Sequence, residues 1–274
     1  PAIGASLPAI GREFGIGVER AGLILTAFQL AYTAVCLLGG VLCDFSGRRP
    51  ALAAGAALYG AGALLLARPS GFAATCLLFA LLGCGAGLIY ISSNTLVIEL
   101  YPERRGPVLN LHHLSYAVGT LAAPLLVGAA AASWRSAYAP FGLVGLTLAL
   151  FLLIARAPGE AAAVREPGAL RVQREEYTRL LGNRLFLLLL GTGLLAIGVQ
   201  FAITYLLVSL LVDGRGLPQP RAALVLSLFV LAVAAGRLLT SWLASRWSNT
   251  RLLLGSLLLL SLTLLSAWLA RGAL

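Results

Sequence analysis

Gly39-Gly40-Val41-Leu42-Cys43-Asp44-Phe45-Ser46-Gly47-Arg48-Arg49-Pro50-Ala51-Leu52 joins two apolar runs. The first run ends in the acid Asp44. A tight turn with Gly47 and the pair Arg48-Arg49 follows, and the second run begins at once. Charge confined to so short a break places the break at a membrane surface, because an ionised side chain in hydrocarbon is costly. The stretch therefore predicts a helix-loop-helix corner with its charges in the interfacial water.

The composition points the same way. Of the 274 residues 59% are hydrophobic and 11% are charged, with a mean hydropathy of +0.93. A soluble domain carries about 25% charged residues, so most of this chain belongs in lipid or against other helices. The basic residues are all arginine, and the pI is near 10.2. They are scattered between apolar runs with no basic stripe. That argues against a nucleic-acid surface and fits a membrane with an anionic leaflet. Cys36, Cys43, Cys76 and Cys84 lie inside or at the end of apolar runs, with no CxxC and no metal-ligand spacing to histidine. Within each pair the residues are about two turns apart, roughly 11–12 Å along a helix, too far for a disulfide. They read as small packing residues, and neither metal nor cofactor is expected. The chain contains no methionine, starts at Pro1 and stops at Leu274 just after an apolar run. It is expected to be a piece of a longer protein, with no signal peptide visible.

Eight apolar segments, about 21–43, 51–67, 72–98, 108–132, 138–155, 185–211, 222–245 and 251–270, are near or above the ~17–25 residues that cross a bilayer. In hydrocarbon the backbone must bond to itself, so these are expected to be helices. Small residues such as Gly55-Ala56-Ala57, Gly60-Ala61-Gly62 and Gly83-Cys84-Gly85-Ala86-Gly87 allow close helix approach. Residues 1–20, rich in glycine and carrying Arg12, Glu13, Glu19 and Arg20, read as a polar connection following a helix that is not represented. The connections alternate across the membrane. Those around 44–50, 99–107, 156–184 and 245–251 hold twelve arginines, and those on the other side hold seven. The first side is therefore expected to be cytoplasmic. Residues 156–184 form the only long polar stretch and read as a cytoplasmic linker, with a surface helix over 170–181 ended by Gly182-Asn183.

An internal repeat is visible. Residues 21–44 align without a gap on 222–245, and nine of the 24 positions are identical, among them Ala21 with Ala222, Phe28 with Phe229 and Leu38 with Leu239. Both copies follow an arginine, and Gly15 meets Gly216 upstream. In the second copy Ser245 replaces Asp44. A six-helix period and two parallel halves follow. The expected divisions are 1–155, a first helical half; 156–184, the loop; and 185–274, part of a second half.

The opening stretch resembles the loop between the second and third helices of the major facilitator superfamily, whose pattern is roughly Gly-x-Leu-x-Asp-Arg-x-Gly-Arg-Arg-x-x-Leu. Gly40, Leu42, Asp44, Gly47, Arg48, Arg49 and Leu52 match it. Phe45 stands where the family usually has a basic residue and removes one charge. The resemblance implies an all-α integral membrane protein with two parallel six-helix halves, of which about eight complete helices are present and the first and last three are not. It also implies that this loop latches the halves, with Asp44 facing the start of an eleventh helix outside the chain. Glu99 and Arg104, in Glu99-Leu100-Tyr101-Pro102-Glu103-Arg104, resemble the acid and arginine that pair with the latch. The alternative for each is an ordinary charged group at the interface.

Ser93-Asn94-Thr95, followed by Leu109-Asn110-Leu111-His112 and then Gly119 and Pro124, resembles the sugar-transporting branch that includes fucose permeases. Asn94 lies about two turns inside a helix, where an amide needs a cavity or a partner, and it can donate to and accept from hydroxyls. Packing is its alternative. His112 and His113 point about 100° apart on a helix. One either faces the path and titrates near neutrality or sits at the interface. Tyr90 occupies the position where proton-coupled members carry an acid, and it stacks on a sugar ring or packs. Gln29, Gln200, Thr204 and Tyr205 are mid-span, the last three on a helix that the resemblance makes the seventh and cavity-lining. Arg237 is either a structural partner or a path-lining cation, and Trp134-Arg135 reads as an interfacial anchor.

These features predict a multi-pass plasma-membrane transporter, in the bacterial inner membrane, that moves a small polar solute, a sugar or related compound, by alternating access. It is expected to be a monomer, with a proton as candidate coupling ion and no nucleic-acid partner. Efflux of drugs or metabolites is the alternative within the superfamily. From other classes, a membrane enzyme would need clustered acids, Ser/His pairs or metal ligands at one depth, and none is seen. A non-transporting remnant is the third reading. No nucleotide-binding motif is present, which argues against ATP-driven transport.

Overall fold

In a computed structural model the described residues are 2–68, 71–130, 133–154, 179, 181–243 and 246–269. Among them the regular structure is helical: α1 (Ala2–Phe14), α2 (Val18–Ser46), α3 (Arg48–Leu66), α4 (Phe72–Leu100), α5 (Arg105–Ala129), α6 (Tyr138–Ile154), α7 (Arg184–Asp213), α8 (Gln219–Leu243) and α9 (Asn249–Leu269). Among the described residues five helices are long and apolar enough to cross a bilayer, Glu19–Cys43, Arg48–Leu66, Phe72–Leu100, Arg184–Asp213 and Gln219–Thr240. Contacts group the chain into Pro1–Ser227 and Leu228–Leu274, with the boundary inside α8. Of the expected linker, 156–178 and 180 lie outside the described residues, as does most of the expected surface helix. Asn183 is not the end of that helix but the cap of the next one. Its side chain accepts from Leu185 N and Phe186 N and satisfies two of the free donors of the first turn of α7.

The expectation for residues 1–20 is corrected. Ala2–Phe14 is a helix rather than a polar connection, despite Gly4, Pro8 and Gly11. Ile3, Leu7 and Ile10 recur at helical spacing, and all three are buried. This face joins a core with Ile24, Phe79, Trp134 and Tyr138. Proline and glycine are tolerated where neighbouring helices enclose the backbone. Packing against these neighbours outweighs the breaker signal.

Glycines let the first helices come together. A Cβ on Gly87 would lie 2.9 Å from Tyr32 O of α2, and one on Gly85 would lie 2.8 Å from Gly55 O of α3. The run Gly83–Gly87 thus turns alternate glycines to two different neighbours. On the far side of α3, a Cβ on Gly60 would lie 2.7 Å from Leu146 N and 2.9 Å from Gly142 O of α6. With lipid on the outside there is little hydrophobic gain in bringing helices together, so this close backbone packing is what holds them.

The same offset recurs in the helix starts. α2 starts at Val18 and α8 at Gln219, an offset of 201 that is the one found in the sequence. The glycines before them, Gly15 and Gly216, both take positive φ, +62° and +68°, the left-handed conformation that glycine adopts at little cost. Replacing Gly60 with leucine is expected to force α3 from α6 and cost about 1–3 kcal/mol, read as a lower melting temperature in detergent. Gly191→Leu, at a site where a side chain meets nothing within 4 Å, is the control and should leave it unchanged.

Candidate functional site

The connections at 44–49 and 99–105, together with the start of α7, lie at what is here termed the inner end. Those at 14–18 and 213–219 lie at the outer end. At mid-depth, α2 and α7 are joined by a polar contact. The Tyr205 hydroxyl donates to Gln29 Oε1 at 3.4 Å. One turn along α2 the ring of Tyr32 stacks on Phe28, with centroids 6.2 Å apart, and tilts toward Tyr90 of α4 at 6.1 Å. Tyr90 is half-exposed. Asn94 turns its amide onto its own helix, Nδ2 donating to Tyr90 O at 2.7 Å. Beside it Ser93 Oγ meets His112 Nε2 of α5 at 3.2 Å, and the His112 and His113 rings are 5.8 Å apart. Thr204 is buried and returns its hydroxyl to Gln200 O, at 2.7 Å.

The fold thus brings Gln29 to Tyr205, Asn94 to the Tyr90 carbonyl and His112 to Ser93, while Gln200 and Thr204 are tied within α7. Sequence reasoning missed Ser93 as the partner of His112. It also missed Tyr32, whose position one turn from Gln29 was its only signal. The Asn110 side chain lies outside the described residues.

At the inner end Gly47 takes φ +84° and sits between the end of α2 and the start of α3. Arg48 Nη2 reaches Glu99 Oε1 at 2.7 Å, tying α3 to the end of α4. Arg49 Nε donates to Leu152 O, the end of α6, at 2.7 Å. Unpaired carbonyls at a helix C-terminus attract a cation, so the two arginines pin α3 to two helix ends. Arg104 is exposed at the start of α5, Phe45 is exposed, and a side chain at Gly40 would meet nothing within 4 Å. The Asp44 side chain lies outside the described residues.

Trp134 and Arg135 require a correction: both are buried at the outer end rather than anchored at an interface. Arg135 pairs with Glu13 of α1, Nη2 to Oε1 at 2.8 Å and Nε to Oε1 at 3.0 Å. Its Nη1 donates to Leu66 O and Arg68 O, each at 3.2 Å, and its plane lies over the Trp134 ring at 4.6 Å. Trp134 Nε1 also donates to Glu13, at 2.6 Å. Glu13 and Arg135 are 122 residues apart, so no local pattern could announce them.

The sequence pattern of the Major Facilitator Superfamily matches residues 2–273. The chain belongs to this superfamily. A major facilitator relative, the Probable sulfoacetate transporter SauU of Cupriavidus necator, is 29% identical over 151 residues, 53% of this chain and 34% of the relative. The Hexuronate transporter of Bacillus subtilis is 25% identical over 228 residues, 79% of this chain and 53% of the relative. The chain therefore spans about a third to a half of the length of these relatives. Among solved structures, a D-xylose-proton symporter matches with a TM-score of 0.66 at 17% identity, over 90% of this chain and 65% of that one. It shares the major facilitator fold with this chain.

Arg135→Ala is expected to lower stability by about 1–3 kcal/mol, since it leaves two carbonyls and Glu13 short of a partner. The exposed Glu99 should tolerate Glu99→Gln for under about 1 kcal/mol. Thermal unfolding of the two purified variants would reverse this order if Arg135 only decorated the surface.

Proposed function

We propose that the chain is part of a secondary transporter that moves a small polar solute, a sugar or related compound, across the bacterial inner membrane by alternating access. The observation that carries this reading is the Gln29–Tyr205 contact, which joins the second helix of one repeat to the helix that opens the other. Tyr32, one turn along α2 from Gln29, leads to the ring of Tyr90, and Asn94 and the Ser93–His112 pair follow along α4, so that uncharged hydrogen-bonding groups and aromatic rings line this run. Amides and hydroxyls both donate and accept, and rings cover the apolar face of a pyranose or furanose. The relatives named for sulfoacetate and hexuronate, and the fold shared with a xylose symporter, support a small polar cargo.

The inner loop is the latch in this reading. Gly47 gives a tight corner, Arg48 and Arg49 hold α3 to Glu99 and to the end of α6, and Arg104 is exposed for a partner on the other half. Charges near helix ends exchange partners at low cost as the halves rock. The chain acts as a carrier rather than an enzyme, as a monomer. Protons are the coupling ion to test.

The full-length protein in proteoliposomes is expected to take up a labelled pentose, hexose or hexuronate in counterflow. Tyr205→Phe and Gln29→Ala should each raise the half-saturating concentration about 3–10-fold, the worth of one hydrogen bond, with little change in protein stability. An imposed inward proton gradient should concentrate the solute if a proton is coupled, and only equilibrate it if transport is facilitative. Absence of counterflow for all three solute classes in folded protein would remove the sugar reading.

A further inference from the structure

A cavity of about 500 Å³ opens at the outer end, between α1, the end of α5 with the segment that follows it, and the start of α8. Arg12, Glu13, Val127, Ser133, Trp134 and Gln219 are among its walls. Its volume lies within the ~300–1,000 Å³ of small-molecule sites. It stands apart from the mid-depth groups. Gly4 of α1 lies against Tyr205, since a Cβ there would come 2.7 Å from Tyr205 O. Arg12 is about eight residues further along the same helix, roughly 12 Å outward.

The two charged side chains in these walls are in opposite situations. Glu13 is fully engaged. Arg135 Nη2 and Nε reach its Oε1 at 2.8 and 3.0 Å, and Trp134 Nε1 reaches Oε2 at 2.6 Å. Arg135 is buried and turns Nη1 to the carbonyls of Leu66 and Arg68. That pair is neutral as a unit and already hydrogen-bonded. Arg12 is exposed, and among the described residues it bonds to a neutral group, Gln219 Oε1, at 2.7 Å. A guanidinium carries five N–H donors, and among the described residues no carboxylate pairs with this one. The cavity therefore carries a single net positive charge. Gln219 Nε2, which also donates to Ala5 O at 3.2 Å, and the Ser133 hydroxyl add uncharged donors, while Val127 and Pro220 supply apolar wall. The surroundings act in the same sense. At this end Arg12, Arg20, Arg68, Arg135, Arg215 and Arg221 outnumber the acids Glu13, Glu19 and Asp213 among the described residues, and a field of one sign concentrates ions of the other.

We propose that this cavity is a binding site for a small organic monoanion, a carboxylate or sulfonate, whose charge is met by Arg12 and whose body lies against Trp134. One cation without an acid beside it suits one negative charge. A dianion such as a phosphate monoester would bring its second charge next to Glu13, which remains negative when bonded. A guanidinium offers a carboxylate two parallel N–H bonds. The Gln219 amide is a weak competitor, because a hydrogen bond to a charged group is stronger than one to a neutral group. On the transport reading the cavity is the first station for a solute arriving at the outer end, and it favours acids over neutral sugars before the mid-depth groups are reached. The binding itself does not depend on that reading.

The test reads Trp134 fluorescence in the full-length protein, with every other tryptophan replaced by phenylalanine, in a neutral detergent at constant ionic strength. Glucuronate is the probe and glucose its uncharged counterpart. Glucuronate should shift the emission saturably, and glucose should need a concentration at least about tenfold higher. Arg12→Gln should raise the half-saturating glucuronate concentration about tenfold and leave the melting temperature in place, because Arg12 is exposed. Arg12→Lys, which keeps the charge but not the fork of donors, should recover part of that loss. Tyr205→Phe and Gln29→Ala should leave the Trp134 titration unchanged, since they belong to the mid-depth groups. With Arg12 intact, raising sodium chloride about tenfold should weaken glucuronate and spare glucose, an arm that needs no change to the cavity. Equal responses to the two sugars, no saturable response to glucuronate, or an unchanged titration in Arg12→Gln overturns the proposal. Displacement of glucuronate by phosphatidylglycerol added to the micelles would assign the cavity to a lipid headgroup and overturn it as well. Because no transport is measured, a failed counterflow assay leaves this result standing, and loss of the Trp134 response says nothing against transport.

Discussion

Arg135 is a cation with almost no access to water, and the position of α1 depends on it. Taking such a charge out of water is tolerable only when its donors are satisfied. Here a carboxylate from α1, two carbonyls at the end of α3 and the face of Trp134 do so together. The pair fixes the outer end of α1 against its own half. Once α1 is fixed, its opposite face is presented to α7, and the approach at Gly4 becomes geometrically available. The ion pair adds to the burial of Ile3, Leu7 and Ile10 in holding helical a 13-residue segment that contains Pro8 and three glycines within or beside it.

Elsewhere the fold relies on close packing rather than charge. α3, α4 and α6 meet through Gly55, Gly60, Gly85 and Gly145, where backbone lies against backbone. Such contacts are unforgiving of size but carry no direction, so the first helices form a block. The contacts that cross between repeats are of another kind: a single tyrosine–glutamine bond at mid-depth, an exposed arginine–glutamine bond and small-residue touches.

The polar groups at mid-depth follow a similar economy. Many are satisfied on their own helix, as Asn94 is by Tyr90 O and Thr204 by Gln200 O. An amide bonded in this way remains in hydrocarbon at low cost. The aromatic run of Phe28, Tyr32 and Tyr90 adds surface without charge.

Much of this was legible in the sequence. Apolar length determined the helices, because a backbone in lipid has no other way to bond. The helices begin and end within a few residues of the expected segments. The repeat determined that Gly15 and Gly216 play one role, and both adopt a left-handed turn. The spacing of Gly47, Arg48 and Arg49 determined a charged corner, for which residue type alone suffices. The sequence misled at residues 1–20 and at Trp134-Arg135, where local rules read breakers and charges as surface. Only the tertiary structure decided these, because burial of Ile3, Leu7 and Ile10 and the pairing of residues 122 positions apart are properties of neighbours that no local window contains. It alone also decided which polar groups meet: Gln29 found Tyr205, His112 found Ser93, and Asn94 turned back on its own helix, since the direction of a side chain across a helix interface is set by the packing of the backbones behind it.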